Sequence, residues 1–258
     1  MIRTRISSVS VNKILQHYFR KSFVNSRTFC TFSKSTTNMA KTAPNPFQIT
    51  LKENQKEIVH WLNENTISVV TGMEGTSKTT LALFYALQQL FKGNYERIVI
   101  TKPLQTTGQE IGFLPGIESE KLLPFTVSYI NAIETLIGKG MLKSLMGNPN
   151  HKQIDFLALP YVRGLSLTKC ILIFDEVQNA DLHTIMSFVT RADSSCKVIL
   201  LGDPFQSDIK KSGLKPFIEM TSEIGGISHR ELGEDYQMRS KMIVELRKAY
   251  IKHLNAQK

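Results

Sequence analysis

The chain has 258 residues, 41% hydrophobic and 21% charged, a size and balance that suit one ordinary globular domain, or one domain plus an extension. No apolar run approaches the roughly 18–20 residues needed to cross a bilayer, so no membrane association is expected. The net charge of +10 is unevenly spread: nine of the 32 basic residues lie within residues 1–52, where no Asp or Glu occurs, which leaves 23 basic against 22 acidic residues beyond. The body is nearly neutral, and that excludes a broad basic face.

Residues 1–45 read as a basic extension. They are rich in Arg and Ser, and Ile14, Leu15, Tyr18, Phe19 and Phe23 recur at helical spacing beside Lys13, Arg20 and Lys21. This composition is that of a mitochondrial transit peptide, and "RTFC" at 27–30 resembles a processing site with an arginine two residues before the cut. The alternatives are a disordered basic tail on a cytoplasmic protein, or untranslated sequence ahead of an internal start at Met39. The prolines of "PNPF" mark a linker, so an ordered domain is expected over 46–258.

From residue 50 onward, short apolar runs alternate with helical stretches. "ISVVT" (67–71), "RIVIT" (97–101), "CILIFDE" (170–176) and "KVILLGD" (197–203) have the β-branched, almost unbroken apolar character of strands buried on both faces. "KTTLALFYALQQLF" and "HTIMSFVTRA" read as helices between them. Such alternation predicts a parallel α/β sheet with functional loops at the carboxyl ends of its strands. Cys30, Cys170 and Cys196 have no metal-type spacing and read as free thiols, two of them in or beside strand-like runs.

Three stretches at strand ends can carry chemistry. "GMEGTSKTT" (72–80) follows the phosphate-loop pattern G-x-x-x-x-G-K-[ST], except that Ser77 stands where glycine is expected. Its backbone from Gly72 through Gly75, Thr76 and Ser77 to Thr80 would cradle phosphates at a helix N-terminus. Lys78 would reach the β- and γ-phosphates of ATP, and the Thr79 hydroxyl would hold Mg²⁺. "CILIFDEVQNA" ends in Asp175, placed to hold Mg²⁺, and Glu176, placed to take a proton from the attacking water. "LLGDPFQSD" brings Asp203 and Gln206 to a third tip. There the Gln206 amide can sense a γ-phosphate or position water, and Asp203 alone could be a turn former before Pro204.

Taken in order, these segments resemble the PhoH-like family of ATPases, themselves similar to the first motor domain of superfamily-one helicases. The resemblance covers roughly residues 50–250. It rests on "NQK" (54–56), "GFLPG" (112–116) with "EKLLPF" (120–125), "PYVRG" (160–164), "DEVQNA", "GDPFQSD" and the closing "LGEDYQMRSKMIVELRKAY". It implies a RecA-like P-loop fold with a single motor domain, an adenine-reading role for Gln55, and a γ-phosphate contact for Arg239, within the chain or across a subunit boundary. A lone motor domain is expected to find its partner surface in a homo-oligomeric ring.

Two functions fit. The first is a Mg²⁺-dependent ATPase, helicase-like in activity, that remodels RNA or single-stranded nucleic acid, with Lys102 and Arg163 as candidate backbone contacts. The second is an ATP-dependent regulatory or chaperone-like module with no nucleic-acid partner.

Overall fold

The computed structural model describes residues 45–103, 118–146, 152–162, 165 and 167–255. Residues 1–44 of the N-terminal extension, "GFLPG" and Arg163 lie outside the described residues. In chain order the elements are α1 (Glu53–Glu64), β1 (Ile67–Gly72), α2 (Lys78–Phe91), β2 (Arg97–Thr101), α3 (Glu118–Met146), β3 (Ile154–Phe156), α4 (Leu159–Val162), β4 (Cys170–Phe174), α5 (Leu182–Val189), β5 (Lys197–Gly202), α6 (Leu214–Thr221), β6 (Ile227–Leu232) and α7 (Lys241–Asn255). Short 3₁₀ turns at Val177–Asn179 and Glu234–Tyr236 follow β4 and β6.

The four apolar runs form the middle of one sheet, ordered β3-β2-β4-β5-β1-β6, in which every neighbouring pair is parallel. Because strand side chains alternate between faces, Val70, Ile100, Ile173 and Leu201 pack with Ile58 and Leu62 of α1 and Leu83 and Leu87 of α2. Val69, Leu172, Val198 and Leu200 turn the other way, onto Phe188 of α5 and Phe217 of α6. Each fully buried Val, Leu or Ile contributes about 1.5–3 kcal/mol, so covering both faces stabilises the central strands most. All five residues of β4 are buried, whereas the edge strand β6 is mostly half-buried or exposed.

The register fixes the site. β5 lies between β1 and β4, pairing Thr71 with Gly202 and Phe174 with Leu200. The loop after β1, the acidic pair after β4 and Asp203 after β5 therefore emerge side by side at one sheet edge. This is the RecA-like arrangement expected from the sequence, in one sheet flanked by helices. Gly138, at φ 77°, breaks α3 internally, and a Cβ there would stand 2.5 Å from Gln48 Nε2. The linker docks at that kink, where the Gln48 amide donates to the Leu136 carbonyl at 2.7 Å.

At the opposite sheet edge, Cys170 and Cys196 are buried free thiols with sulfurs 3.5 Å apart. Burial, and then the neighbouring sulfur, pushes the Cys170 thiol up to about 12, which leaves it unreactive. Cys30 lies outside the described residues. Among the described residues no helix is long and apolar enough to cross a membrane.

Lys197 opens β5 with a side chain that is 1% exposed. Its ammonium donates to Ser68 Oγ at 2.7 Å and to the Asn65 carbonyl, and it lies 5.8 Å from the Tyr85 ring centroid. Burial pushes it down to about 7. An unfolded lysine keeps its proton to about pH 10.4. Between those values the unfolded state binds the extra proton, so the penalty is fully present below pH 7 and fades as pH rises. Lys197→Met is expected to melt higher than the parent at pH 7, with the gap narrowing towards pH 9.5. Calorimetry showing the same gap at both pH values would disprove this account.

Candidate active site

The loop between β1 and α2 is built by two left-handed residues. Gly75 has φ 86°, and a Cβ there would collide with Gln237 Oε1 and stand 2.9 Å from Arg239 Cγ. Ser77 caps α2 at φ 63°, ψ 18°, a conformation that costs a non-glycine residue roughly 1–2 kcal/mol. The position thus prefers glycine without requiring it, and the serine still closes the loop. Thr76 is fully buried and braces the turn by donating from Oγ1 to the Met73 carbonyl at 2.7 Å. Thr80 follows, half-buried, in the first turn of α2.

Lys78 begins α2 and folds back under the loop, donating from Nζ to the Gly72 carbonyl at 2.7 Å and to Met73 at 3.0 Å. Burial lowers its pKa, while Asp203, Asp175 and Glu176 pull it back up. Thr79 and Asp175 meet: the hydroxyl donates to Asp175 Oδ2 at 2.9 Å. The same oxygen accepts from the Tyr129 hydroxyl of α3 at 2.6 Å, and Oδ1 accepts the Glu176 amide at 2.9 Å. Burial, then the Asp175 charge, holds the Tyr129 hydroxyl well above its ordinary value, so it stays protonated as a donor.

Glu176 sits at φ 55°, ψ 37°. Such strain is concentrated at functional sites. Burial raises its pKa first and Asp175 second, opposed by Gln178, Lys78 and Lys102. A carboxyl moved up towards neutrality is suited to accepting a proton. Gln178 fixes it by donating to Glu176 Oε2 at 2.7 Å, and its Oε1 accepts the Asp203 amide at 3.0 Å. One buried amide thereby locks the β4 and β5 tips together.

Asp203 accepts the Glu74 amide of the loop at 3.1 Å and the Arg247 guanidinium of α7 on the same oxygen. Glu74 pairs with Arg239 and, at 3.6 Å, with Arg247. The segment after β6 clips this cluster in place, with the Met238 amide bonded to the Gly75 carbonyl at 3.0 Å and Gln237 Nε2 to the Glu74 carbonyl at 3.1 Å. A cavity of about 400 Å³ opens beside the loop, walled by Met73, Glu74, Gln206, Arg239 and the Ile243–Tyr250 side of α7.

Lys78, Thr79, Asp175, Glu176 and Asp203 are thus gathered into one cluster. Gln206 is exposed at the cavity wall and joins the cluster through its backbone carbonyl, which accepts from Gln178 at 3.3 Å. Gln55 is buried but engaged locally, its Oε1 accepting the Lys52 amide at 3.0 Å to close the first turn of α1. Four contributors escaped the sequence reading: Glu74, Tyr129, Gln178 and Arg247. Only Glu74 carried a signal, an acid within a loop meant for anions.

The Thr79 hydroxyl and the Asp175 carboxylate are hard oxygen donors, which suit Mg²⁺. Among the described residues there is no cluster of three or more His, Cys, Asp or Glu able to form a metal cage. One carboxylate beside one hydroxyl fits a cation that arrives with a nucleotide.

Residues 49–251 match the family model described as PhoH-like protein. The chain belongs to the PhoH-like family. It is 31% identical over 203 residues to the PhoH-like protein of Mycobacterium leprae, covering 78% of this chain and 57% of that one. It is 33% identical over 201 residues to the PhoH-like protein of Bacillus subtilis, covering 77% and 62%. The chain therefore spans about three fifths of the length of these PhoH-like relatives. Among solved structures it is similar to the large terminase of a thermophilic bacteriophage, at TM-score 0.48, 13% identity, and coverage of 78% and 50%. It is also similar to Pif1 helicase of Candida albicans, at TM-score 0.37, 16% identity, and coverage of 72% and 40%. As a PhoH-like protein the chain is a P-loop NTPase in fold.

Replacing Ser77 by glycine relieves the left-handed serine but adds unfolded-state entropy, for a net gain of about 1 kcal/mol or less. The melting temperature of Ser77→Gly is expected to rise by about 2–4 °C per kcal/mol gained. A variant melting at or below the parent temperature would show that Ser77 is unstrained.

Proposed function

We propose that this protein binds ATP with Mg²⁺ and hydrolyses it, and that the cycle remodels RNA or single-stranded nucleic acid. The observation that carries the nucleotide reading is the 2.9 Å bond between Thr79 and Asp175, which joins the phosphate loop to the acidic tip two strands away. Loop amides and the α2 N-terminus supply donors and a favourable dipole for phosphates. Lys78 turns from its two carbonyls to the β- and γ-phosphates, and Thr79 and Asp175 hold the cation. When bound, Mg²⁺ would supply neutralisation of phosphate charge. Glu176, oriented by Gln178, takes the proton of the water whose oxygen bonds to the γ-phosphorus as the bond to ADP breaks.

The nucleic-acid part of the reading rests on family membership, with Lys102, which directly follows β2, as the candidate contact to a polymer backbone. The near-neutral body favours the second reading, a regulatory module that switches an interface with nucleotide state. Arg239 is about half-exposed on its pairing with Glu74, a position open to a neighbouring subunit in a ring of identical chains. The acid-free extension supports mitochondrial delivery, which a fluorescent fusion of the full chain would test.

In full-length protein, Lys78→Ala is expected to weaken ATP binding at least about tenfold through loss of a charge-assisted phosphate contact. Glu176→Gln should retain binding and lose about 10²–10⁴ in turnover, measured as phosphate release. Parental turnover in Glu176→Gln would remove Glu176 as the base. Single-stranded RNA or DNA should stimulate turnover, with a response that falls steeply with salt. Indifference to both polymers would leave the regulatory module.

A further inference from the structure

Arg247 is the part of the cluster that neither the phosphate loop nor the acidic pair accounts for. It lies in the last helix, where the neighbouring basic residue Lys248 pairs with Glu234 and Glu245 like an ordinary solvated lysine. Arg247 does the reverse. Its side chain is 13% exposed, turned inward onto Asp203, itself 4% exposed, and onto Glu74.

Two features of this contact resemble recognition of an anionic ligand. First, Asp203 Oδ2 is held jointly by the Arg247 guanidinium and by a backbone amide of the loop, that of Glu74. A loop amide and an arginine converging on one anionic oxygen form a donor set for a phosphate oxygen. Second, the guanidinium is underused. Its Nε and Nη1 are buried and lack a hydrogen-bond acceptor, although Nη1 stands 3.6 Å from Glu74. Buried donors without acceptors cost about 1–3 kcal/mol, and a planar fork of five N–H groups is matched by the oxygens of a phosphate.

We propose that Arg247 is a ligand of the terminal phosphate of a nucleoside triphosphate, with Asp203 and Glu74 holding it in place until that phosphate arrives. Asp203 and Glu74, the two acids that Arg247 grips, stand at the tip of β5 and within the phosphate loop, so the guanidinium is held where those two elements meet. Arg247 therefore distinguishes triphosphate from diphosphate, and through α7 it passes that difference to the cavity wall formed by Ile243, Leu246 and Tyr250. This assignment rests on the ATP reading above and adds a residue to it.

The test is the ratio of affinities of the full-length protein for a non-hydrolysable ATP analogue and for ADP, both with Mg²⁺, by titration calorimetry. Arg247→Ala is expected to weaken the analogue about tenfold or more and ADP less than about threefold, with Arg247→Lys between parent and Arg247→Ala. Equal weakening of both nucleotides would mean that Arg247 only props the loop, and an unchanged ratio overturns the assignment. If circular dichroism shows Arg247→Ala unfolded, Glu74→Gln decides. By freeing one side of the guanidinium it should favour the analogue over ADP by severalfold, and an unmoved ratio again overturns the proposal. A parent protein that binds neither nucleotide defeats the ATP reading and Arg247 with it, whereas a parent that binds both with an unmoved ratio in the variants defeats Arg247 alone.

Discussion

The carboxylate of Asp175 is the point on which the site turns. It leaves the end of the fully buried β4, and its two oxygens accept from the start of α2, from the middle of α3 and from the next residue's amide. A buried carboxylate without such donors would carry a large desolvation cost. With them it becomes a fixed anion that sets the distance between the phosphate loop and the acidic tip. The sheet supplies the stiffness behind it, since β4 is paired in parallel with both β2 and β5. Removing the Asp175 charge would therefore loosen three elements as well as one ligand position.

Around that anchor the charges are layered. Lys78 faces three carboxylates, while Arg239 and Arg247 take up the fourth, Glu74. An acid in a phosphate cradle is unfavourable by itself, and the two arginines from beyond β6 offset it. The loop and the closing segment are thus complementary: Gly75 lacks a side chain where Gln237 and Arg239 approach, and the closing segment returns hydrogen bonds to the loop backbone.

Much of this was readable from residue order, for definite reasons. The four central strands are buried on both faces, so their sequences are continuous apolar runs, and the loop and Asp175 follow them directly. β3 was not legible because "IDF" is too short to show a period, nor was β6, whose "ISHREL" belongs to a partly exposed edge. Gln206 and Gln178 both follow a strand by a few residues, and only the 3₁₀ turn at Val177–Asn179 determines which amide is buried between the tips. Tyr129 and Arg247 sit in helices where a tyrosine or an arginine ordinarily needs no special account. Their roles depend on contacts with residues far away along the chain, which local pattern does not encode.

The bond from the Met238 amide to the Gly75 carbonyl ties the segment leading into the last helix to the half-buried turn of the phosphate loop. α7 begins three residues later and exposes Met242, Leu246 and Tyr250, the last two beside the cavity. A stem of only a few residues therefore separates these three apolar side chains from the glycine turn. Water-facing apolar side chains and the backbone that shapes the phosphate loop thus lie a short covalent path apart.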